Sequence, residues 1–392
     1  MAMDPLGRTA SSSPIERESD LWWERLSAWT SEALEAAGSR ITGEFSVLRR
    51  TPWRIEAAVD TGLGRVRVVE TVPSHQFEGA LLATLTRHAG PVALRALAVD
   101  RAAGRFMVHD DAVPLASPPQ RRGRRAAVRA DEPAVKDLLQ AVTAFLPAWA
   151  EAQRGLAAHR TDLQMSGTPA MDPAWFPAFT ENQLASHAER PEGHPLHLSE
   201  EEAEELSQRL RPVVGDSART LMASDLPLML DPVVLATQGP AAGDLAWRDG
   251  AREGERNGER NGKRGGERNG ERDVVVTRLA DASLTHPFSL VRTVLEACAW
   301  LPDEADEPLA AALSDWISRV SRTGDVRGSL PTVEAALRVA PLAEYSALLR
   351  LSASPQADPE DPDVRQAGAR ALDCLRAVGT VPSRWERIRA LL

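Results

Sequence analysis

Residues 43–109 read GEFSVLRRTPWRIEAAVDTGLGRVRVVETVPSHQFEGALLATLTRHAGPVALRALAVDRAAGRFMVH. Phe45 to Leu48, Ile55 to Val59 and Val66 to Val69 are short β-prone runs, with turn signals at Thr51-Pro52 and Thr61-Gly62-Leu63-Gly64 between them. Three strands on short turns predict an antiparallel meander. A helix is predicted from about Ser74 to His88, with Phe77, Leu81, Leu82 and Leu85 as its buried stripe and Ser74 as its N-cap. Two further strands are predicted near Leu94 to Val99 and Arg105 to Val108, joined by a turn at Asp100 to Gly104. The order is three strands, one helix, two strands.

Working outward, Trp22, Leu26, Trp29 and Ala33 recur at helical spacing and predict a helix from about Asp20 to Ala37, capped by Ser19 or Asp20 and stopped by Gly38. Residues 1–18 carry no apolar core and are expected to be a disordered leader rather than a secretory signal. The N-terminal helix and the β-rich unit are expected to span 19–112, and a hinge with a Pro- and Arg-rich loop 113–133. A mainly helical unit is expected over 134–392. It opens with a long helix from Val135 to His159 that carries Pro147, and Ser199 to Leu210 starts with a capping-box-like Ser-Glu-Glu-Glu. Leu221 to Thr237 is apolar but holds two prolines and reads as a buried loop. Residues 250–273 repeat Asn-Gly-Glu-Arg and have nothing to bury, which predicts disorder at the tip of a hairpin between strands at Leu245 and Val274.

The composition sets outer limits. At 43% hydrophobic and 26% charged, the chain of 392 residues is an ordinary globular sequence long enough for two or three packed units. No apolar run approaches the roughly 18 residues that span a bilayer. The two cysteines, Cys298 and Cys374, sit in apolar helical stretches, which points to a reducing cytoplasm rather than a disulfide scaffold. A formal charge of −10 argues against general nucleic-acid binding, and the arginines at 121–129 are read as a solvated hinge loop. His187, His194 and His197 match no zinc spacing and are read as part of a surface loop.

Three stretches sharpen the architecture. Phe77-Glu78-Gly79-Ala80-Leu81-Leu82-Ala83-Thr84-Leu85 resembles the FEAALLAAL helix of bacterial aminoglycoside phosphotransferase-like proteins. Leu97-Ala98-Val99-Asp100 and Gly104 to Asp111 are similar to their LAVD and GWLLLRD strands before the hinge. Asp281-Ala282-Ser283-Leu284-Thr285-His286-Pro287-Phe288 resembles their DWGDASVGHPF segment. The stretches fall in the family's order over roughly residues 40–350. The resemblance implies a kinase-like, two-lobe α+β fold: a small antiparallel sheet with one helix, then a larger helical lobe. It also implies ATP and magnesium as cofactors.

Phosphoryl transfer in such a fold uses a strand-3 lysine, a helix glutamate that orients it, a catalytic-loop aspartate and a metal-binding aspartate. The resemblance puts Glu70 at the lysine position and leaves Arg65 or Arg67 as substitute cations. It makes Glu78 the helix glutamate, without its lysine partner, and Arg67, Glu78 and Asp110 the candidate cofactor contacts. The catalytic loop, HGDLHxxN in the family, is nearest to Ala223-Ser224-Asp225-Leu226-Pro227, so Asp225 is the candidate catalytic carboxylate, with Asp231 a second choice. Arg278 stands where the metal aspartate belongs, and a guanidinium cannot ligate magnesium. Asp281 is the remaining candidate metal ligand, and His286 is read as structural. The losses together predict a catalytically degenerate, pseudokinase-like protein that binds a small molecule or a partner protein in the interlobe cleft. The alternative is an atypical ATP-dependent phosphotransferase acting on a hydroxylated small molecule such as an aminosugar, or other chemistry in a repurposed cleft.

Overall fold

A computed structural model describes residues 19–115, 132–232, 245–249, 272–352 and 358–392. The expected leader, the basic loop within 113–133 and nearly all of the 250–273 insert lie outside the described residues; only Arg272 and Asp273 of the insert are described, and they belong to a strand.

The N-terminal lobe is a sheet clasped by two helices. Helix α1 (Asp20–Ala36) starts at Ser19, whose Oγ accepts from Trp22 N at 3.2 Å. Strands β1 (Ser46–Thr51), β2 (Arg54–Thr61) and β3 (Gly64–Thr71) form the meander. Helix α2 (Phe77–His88) and strands β4 (Ala96–Asp100) and β5 (Arg105–His109) complete the lobe, and the sheet order is β1-β2-β3-β5-β4, antiparallel throughout. Strand alternation sends Ile55, Ala57, Val59, Val66, Val68 and Met107 toward Trp22, Leu26 and Leu34 of α1. Val69, Phe106 and Val108 face the other way, onto Phe77, Leu81, Leu82 and Leu85 of α2. Gly79 permits the close approach of α2, because a Cβ there would lie 2.9 Å from Phe106 Cβ.

The start of α2 differs from the sequence reading. Residues Pro73–His75 form a separate 3-10 turn, and the Ser74 hydroxyl sits 3.0 Å from His75 Nδ1 instead of capping the helix. Pro73 favours this break because it fixes its own φ for a first turn and has no N–H to donate.

Beyond the hinge, β6 (Ala112–Pro114) joins β8 (Leu245–Asp249) and β9 (Arg272–Val276) in a second small sheet, and β7 (Met229–Asp231) pairs with β10 (Ser283–Thr285). The rest is helical: α3 (Glu132–Ala157), α4 (Arg160–Ser166), α5 (Phe176–Ala188), α6 (Glu200–Ala223), α7 (Ser289–Ala297), α8 (Asp306–Val320), α9 (Val326–Val339), α10 (Pro341–Ser352), α11 (Pro362–Ala377) and α12 (Trp385–Leu391). Fully buried Trp149, Trp316 and Trp385 knit α3, α8 and α12 together. Ser199 caps α6 as expected, but the helix runs through Pro212 to Ala223, well past Leu210. Of the buried loop predicted from Leu221 to Thr237, the described part is a helix end, a short link and β7, and residues 233–237 lie outside the described residues. Among the described residues no helix is long and apolar enough to cross a membrane.

Two histidine readings resolve differently. His286 is structural as expected: it is buried, with Nε2 3.0 Å from Ser224 Oγ and its ring against Phe288. His187 is not on a surface loop; it is wholly buried at the end of α5, with Nε2 2.6 Å from the Tyr345 hydroxyl. The long reach to Tyr345 on α10 is a tertiary contact that local polarity could not reveal.

Candidate functional site

The side of the N-lobe sheet that faces α2 carries a row of alternating charges. Arg54, at the first position of β2, is 3% exposed, donates from Nε to Glu56 Oε1 at 2.5 Å, and forms an ion pair with Glu78 of α2. Glu78 is fully buried and also accepts from Leu279 N at 2.8 Å, which ties α2 to the loop after β9. Arg67 of β3 pairs with Asp110 at the hinge and lies 3.6 Å from Glu56. Arg65 reaches the same Asp110 at 3.4 Å. The row runs Asp110, Arg67, Glu56, Arg54, Glu78.

Burial pulls the Arg54 guanidinium toward its neutral form, but the carboxylates of Glu78 and Glu56 outweigh it and hold the pKa above its ordinary value. Burial pushes Glu56 up, and Arg54 with Arg67 brings it below the usual carboxylate range. For Glu78 burial wins: its carboxyl is raised despite Arg54 and the Leu279 N–H.

Against this geometry the expected site residues separate into groups. Arg67, Glu78 and Asp110 do come together, on the α2-facing side of the sheet. Glu70, matched above to the lysine position, does not join them. It points to the α1 side, where it accepts from Trp22 Nε1 at 3.2 Å and Arg105 Nε at 2.8 Å. Positions 67 and 70 are three apart and so face opposite sides of a strand. Glu78 does have a cationic partner, supplied by Arg54 of β2, a residue the sequence reading did not single out.

Asp225 lies elsewhere. It follows α6 with φ of +54°, its side chain is 80% exposed, and it pairs with Arg322 in a surface groove that also holds Arg160 and His286. It also precedes β7, so the connection that feeds the β8–β9 hairpin is residues 232–244, of which 233–244 lie outside the described residues. Asp231, the second choice, is buried in β7 opposite Ser283. Asp281 is 5% exposed and 3.4 Å from Arg278. A carboxylate that faces a guanidinium is a poor start for a magnesium site, since that ion takes oxygen ligands around it.

Asp281 and Arg278 line a cavity of about 300 Å³ between the lobes. From the N-lobe its wall comes from the β1–β2 turn, with Arg49, Arg50, Trp53 and Arg54, and from His75 of the 3-10 turn. From the C-lobe it comes from residues 278–281 and the facing sides of α10 and α11. His75 is 1% exposed, and burial, reinforced by the charges of Arg350, Arg54 and Arg278, keeps it neutral, well below the usual histidine range. Arg350 stacks 5.8 Å over the Phe77 ring, and burial lowers its pKa to about 10 against the opposing pull of Asp281.

A second cluster, His88, His159 and Asp162, brings three possible metal ligands within 4.8 Å of one another. Asp162 Oδ2 lies 3.4 and 3.5 Å from the two ring nitrogens. The two imidazoles, however, stack at 3.7 Å with planes only 19° apart, so their in-plane lone pairs do not converge on one ion.

No protein-family model matches the chain, and no curated protein matches it. Solved structures do. The GDP complex of a mutant aminoglycoside 2'-phosphotransferase-IIIa aligns at 11% identity with a TM-score of 0.53, over 92% of this chain and 98% of that one. A choline/ethanolamine kinase family protein from Mesorhizobium loti aligns at 12% identity and a TM-score of 0.49, over 93% and 99%. A macrolide 2'-phosphotransferase type I aligns at 10% identity and 0.48, over 90% and 96%. At such identities the likeness is one of fold: the chain has the kinase-like, two-lobe α+β fold.

Proposed function

We propose that this chain is a catalytically silent relative of the small-molecule phosphotransferases that binds a small molecule or a partner protein in the interlobe cleft. The observation that carries the reading is the buried charge row. Phosphoryl transfer relies on cations and magnesium that meet the phosphates and neutralise charge as it develops. Here Arg54 is held by Glu56 and Glu78, Arg67 by Asp110 and Glu56, and Asp281 faces Arg278. A polyphosphate would have to displace protein carboxylates from low-dielectric sites, where such pairs are strong. The candidate catalytic carboxylate, Asp225, sits in a different groove.

One observation favours the atypical phosphotransferase. The helix glutamate does keep a basic partner, so an arginine from β2 could orient phosphates where the family uses a lysine. Radiolabelled ATP with magnesium and a panel of hydroxylated acceptors separates the two. The silent reading expects no transfer above background, and no change in Asp225→Asn or Asp281→Asn. Transfer that Arg54→Lys preserves and Arg54→Met abolishes would establish the enzyme instead.

A further inference from the structure

Strand β1 is the outermost strand of the N-lobe sheet. It pairs with β2 on one side, and among the described residues no strand pairs with its other side. Every residue from Ser46 to Arg50 is exposed, and Thr51 is half-buried. A free edge offers a row of backbone N–H and C=O groups to any extended segment that runs along it. Proteins block such an edge with proline, lysine, a bulge, an inward charge or a covering element. The six residues of β1 contain neither proline nor lysine, and Val47 and Leu48 at its middle are 44% and 42% exposed. Leu48 falls where the register with β2 slips, between Val47 and Arg49, so the bulge there presents an apolar residue and not a charge. Just before the strand, the Phe45 ring packs 5.9 Å from that of Trp23 in α1, and Leu21 in the same helical turn is exposed. The open edge therefore has an apolar margin beside it.

The charges along the strand decide what fits this edge. Glu44 stands at one end of the segment Glu44 to Thr51, Arg49 and Arg50 stand at the other, and Val47 and Leu48 lie between them. Glu44 is exposed and has no ion-pair partner among the described residues. A second copy of β1 running parallel and in register would set arginine beside arginine, and like charges across strands are destabilising. A second copy running antiparallel sets the Glu44 end of each chain beside the Arg49-Arg50 end of the other, with the apolar pairs meeting at the centre. The segment is thus complementary to itself about its own middle. We propose that β1 is a docking edge for a second copy of this chain, the two strands pairing antiparallel about a two-fold axis and joining two five-stranded sheets into one. Such a contact uses the same patch on both partners, closes on itself and stops at two. Backbone hydrogen bonds along the strands supply the affinity, and the side chains at the centre and ends supply the specificity. A pair of six-residue strands is smaller than the roughly 1,200 Å² of a standard stable interface, so the dimer is expected to be weak.

Sedimentation velocity of the full chain at physiological salt, from about 1 μM to about 1 mM, tests the proposal. The wild type is expected to pass from monomer to dimer with a dissociation constant of about 10–100 μM and to form nothing larger. Glu44→Arg and Arg50→Glu each place like charges across the axis and should weaken the dimer by about tenfold or more. Mixed in equal amounts, the two variants should associate again to about the wild-type level, because each then carries the charge that the other needs. Leu48→Lys puts two ammonium groups beside the axis and should abolish the dimer. All three positions are exposed, so each variant should melt close to the wild type, which separates lost association from lost folding. A wild type that stays monomeric over the whole range, a dimer that survives Leu48→Lys, or a mixture of the two charge variants that does not re-associate would overturn the proposal. Species larger than a dimer would overturn it as well, since they need a second surface. A wild type that dimerises only after residues 1–18 are removed would assign the edge to that segment in place of a second copy.

Discussion

Replacing Glu78 by glutamine removes one charge from the most buried ion pair of the N-lobe. Glu78 is fully buried and meets Arg54, itself 3% exposed. Breaking a buried pair from one side usually costs about 3–5 kcal/mol, because the other charge is left without compensation. Arg54 would keep Glu56 at 2.5 Å, which places the cost near the low end, about 3 kcal/mol. Glutamine still offers an oxygen to Leu279 N, so no further penalty arises there; leucine would orphan that N–H and add about 1–3 kcal/mol. Arg54→Met should be comparably harmful, since it leaves Glu56 and Glu78 without the cation between them. The double variant should be less harmful than the sum of the singles by about 2 kcal/mol or more, because the two positions form one network. Urea unfolding of the four proteins at pH 7, read as midpoint and slope, measures the cycle. Burial raises the Glu78 carboxyl, and a Glu78 that carried a proton in the folded state would be mimicked by glutamine. A cost below about 1 kcal/mol for Glu78→Gln, or strict additivity, would therefore refute the ion pair as drawn.

Acid should weaken the fold before the carboxylates titrate. Burial holds His286 at about 3 and His187 at about 4, so the unfolded chain takes up protons below about pH 6.5 while the folded chain does not. Stability is full above that pH, and each histidine should remove about 2 kcal/mol by pH 5; equal urea midpoints at pH 7 and pH 5 would contradict this. Asp225→Asn should shift the urea midpoint by no more than about 0.5 kcal/mol in free energy, because an exposed pair contributes little and asparagine tolerates a left-handed backbone. Cys298 and Cys374 are both buried, and burial pushes the Cys298 thiol up to about 12. Ellman's reagent should find them unreactive until denaturant is added; two fast-reacting thiols in the native protein would show that α7 and α11 pack less tightly than drawn.

Much of the fold was legible because each element announces itself locally. The helical spacing of Trp22 and Leu26, the turns at Thr51-Pro52 and Gly62-Leu63-Gly64, and the apolar spacing of α2 all needed only neighbours in sequence. The site was less legible. Strand β3 is covered by α1 on one face and α2 on the other, so both Glu70 and Val69 are buried and the alternation carries no sign of which side faces the cleft. Glu70 was accordingly matched to the lysine position, although it points to the α1 side, toward Trp22 and Arg105. The partner of Glu78 comes from Arg54, 24 residues away, and no local pattern marks that contact. Asp225-Leu226 matched two letters of a motif, but a helix that extends to Ala223 and a strand that begins at Met229 leave it in the short link between them, where it pairs with Arg322 in a separate groove. His187 shows the same limit in reverse, since its polar surroundings in sequence hide a buried hydrogen bond to an element 158 residues away.

The central claim is that the cations on the α2-facing side of the sheet are committed to protein carboxylates and do not hold a magnesium nucleotide. Titration calorimetry of the wild-type protein with Mg-ATP at moderate salt tests it most directly. The account predicts no saturable heat below about 1 mM, the weak end of specific affinity. A dissociation constant in the low micromolar range, lost on chelation of magnesium, would contradict it.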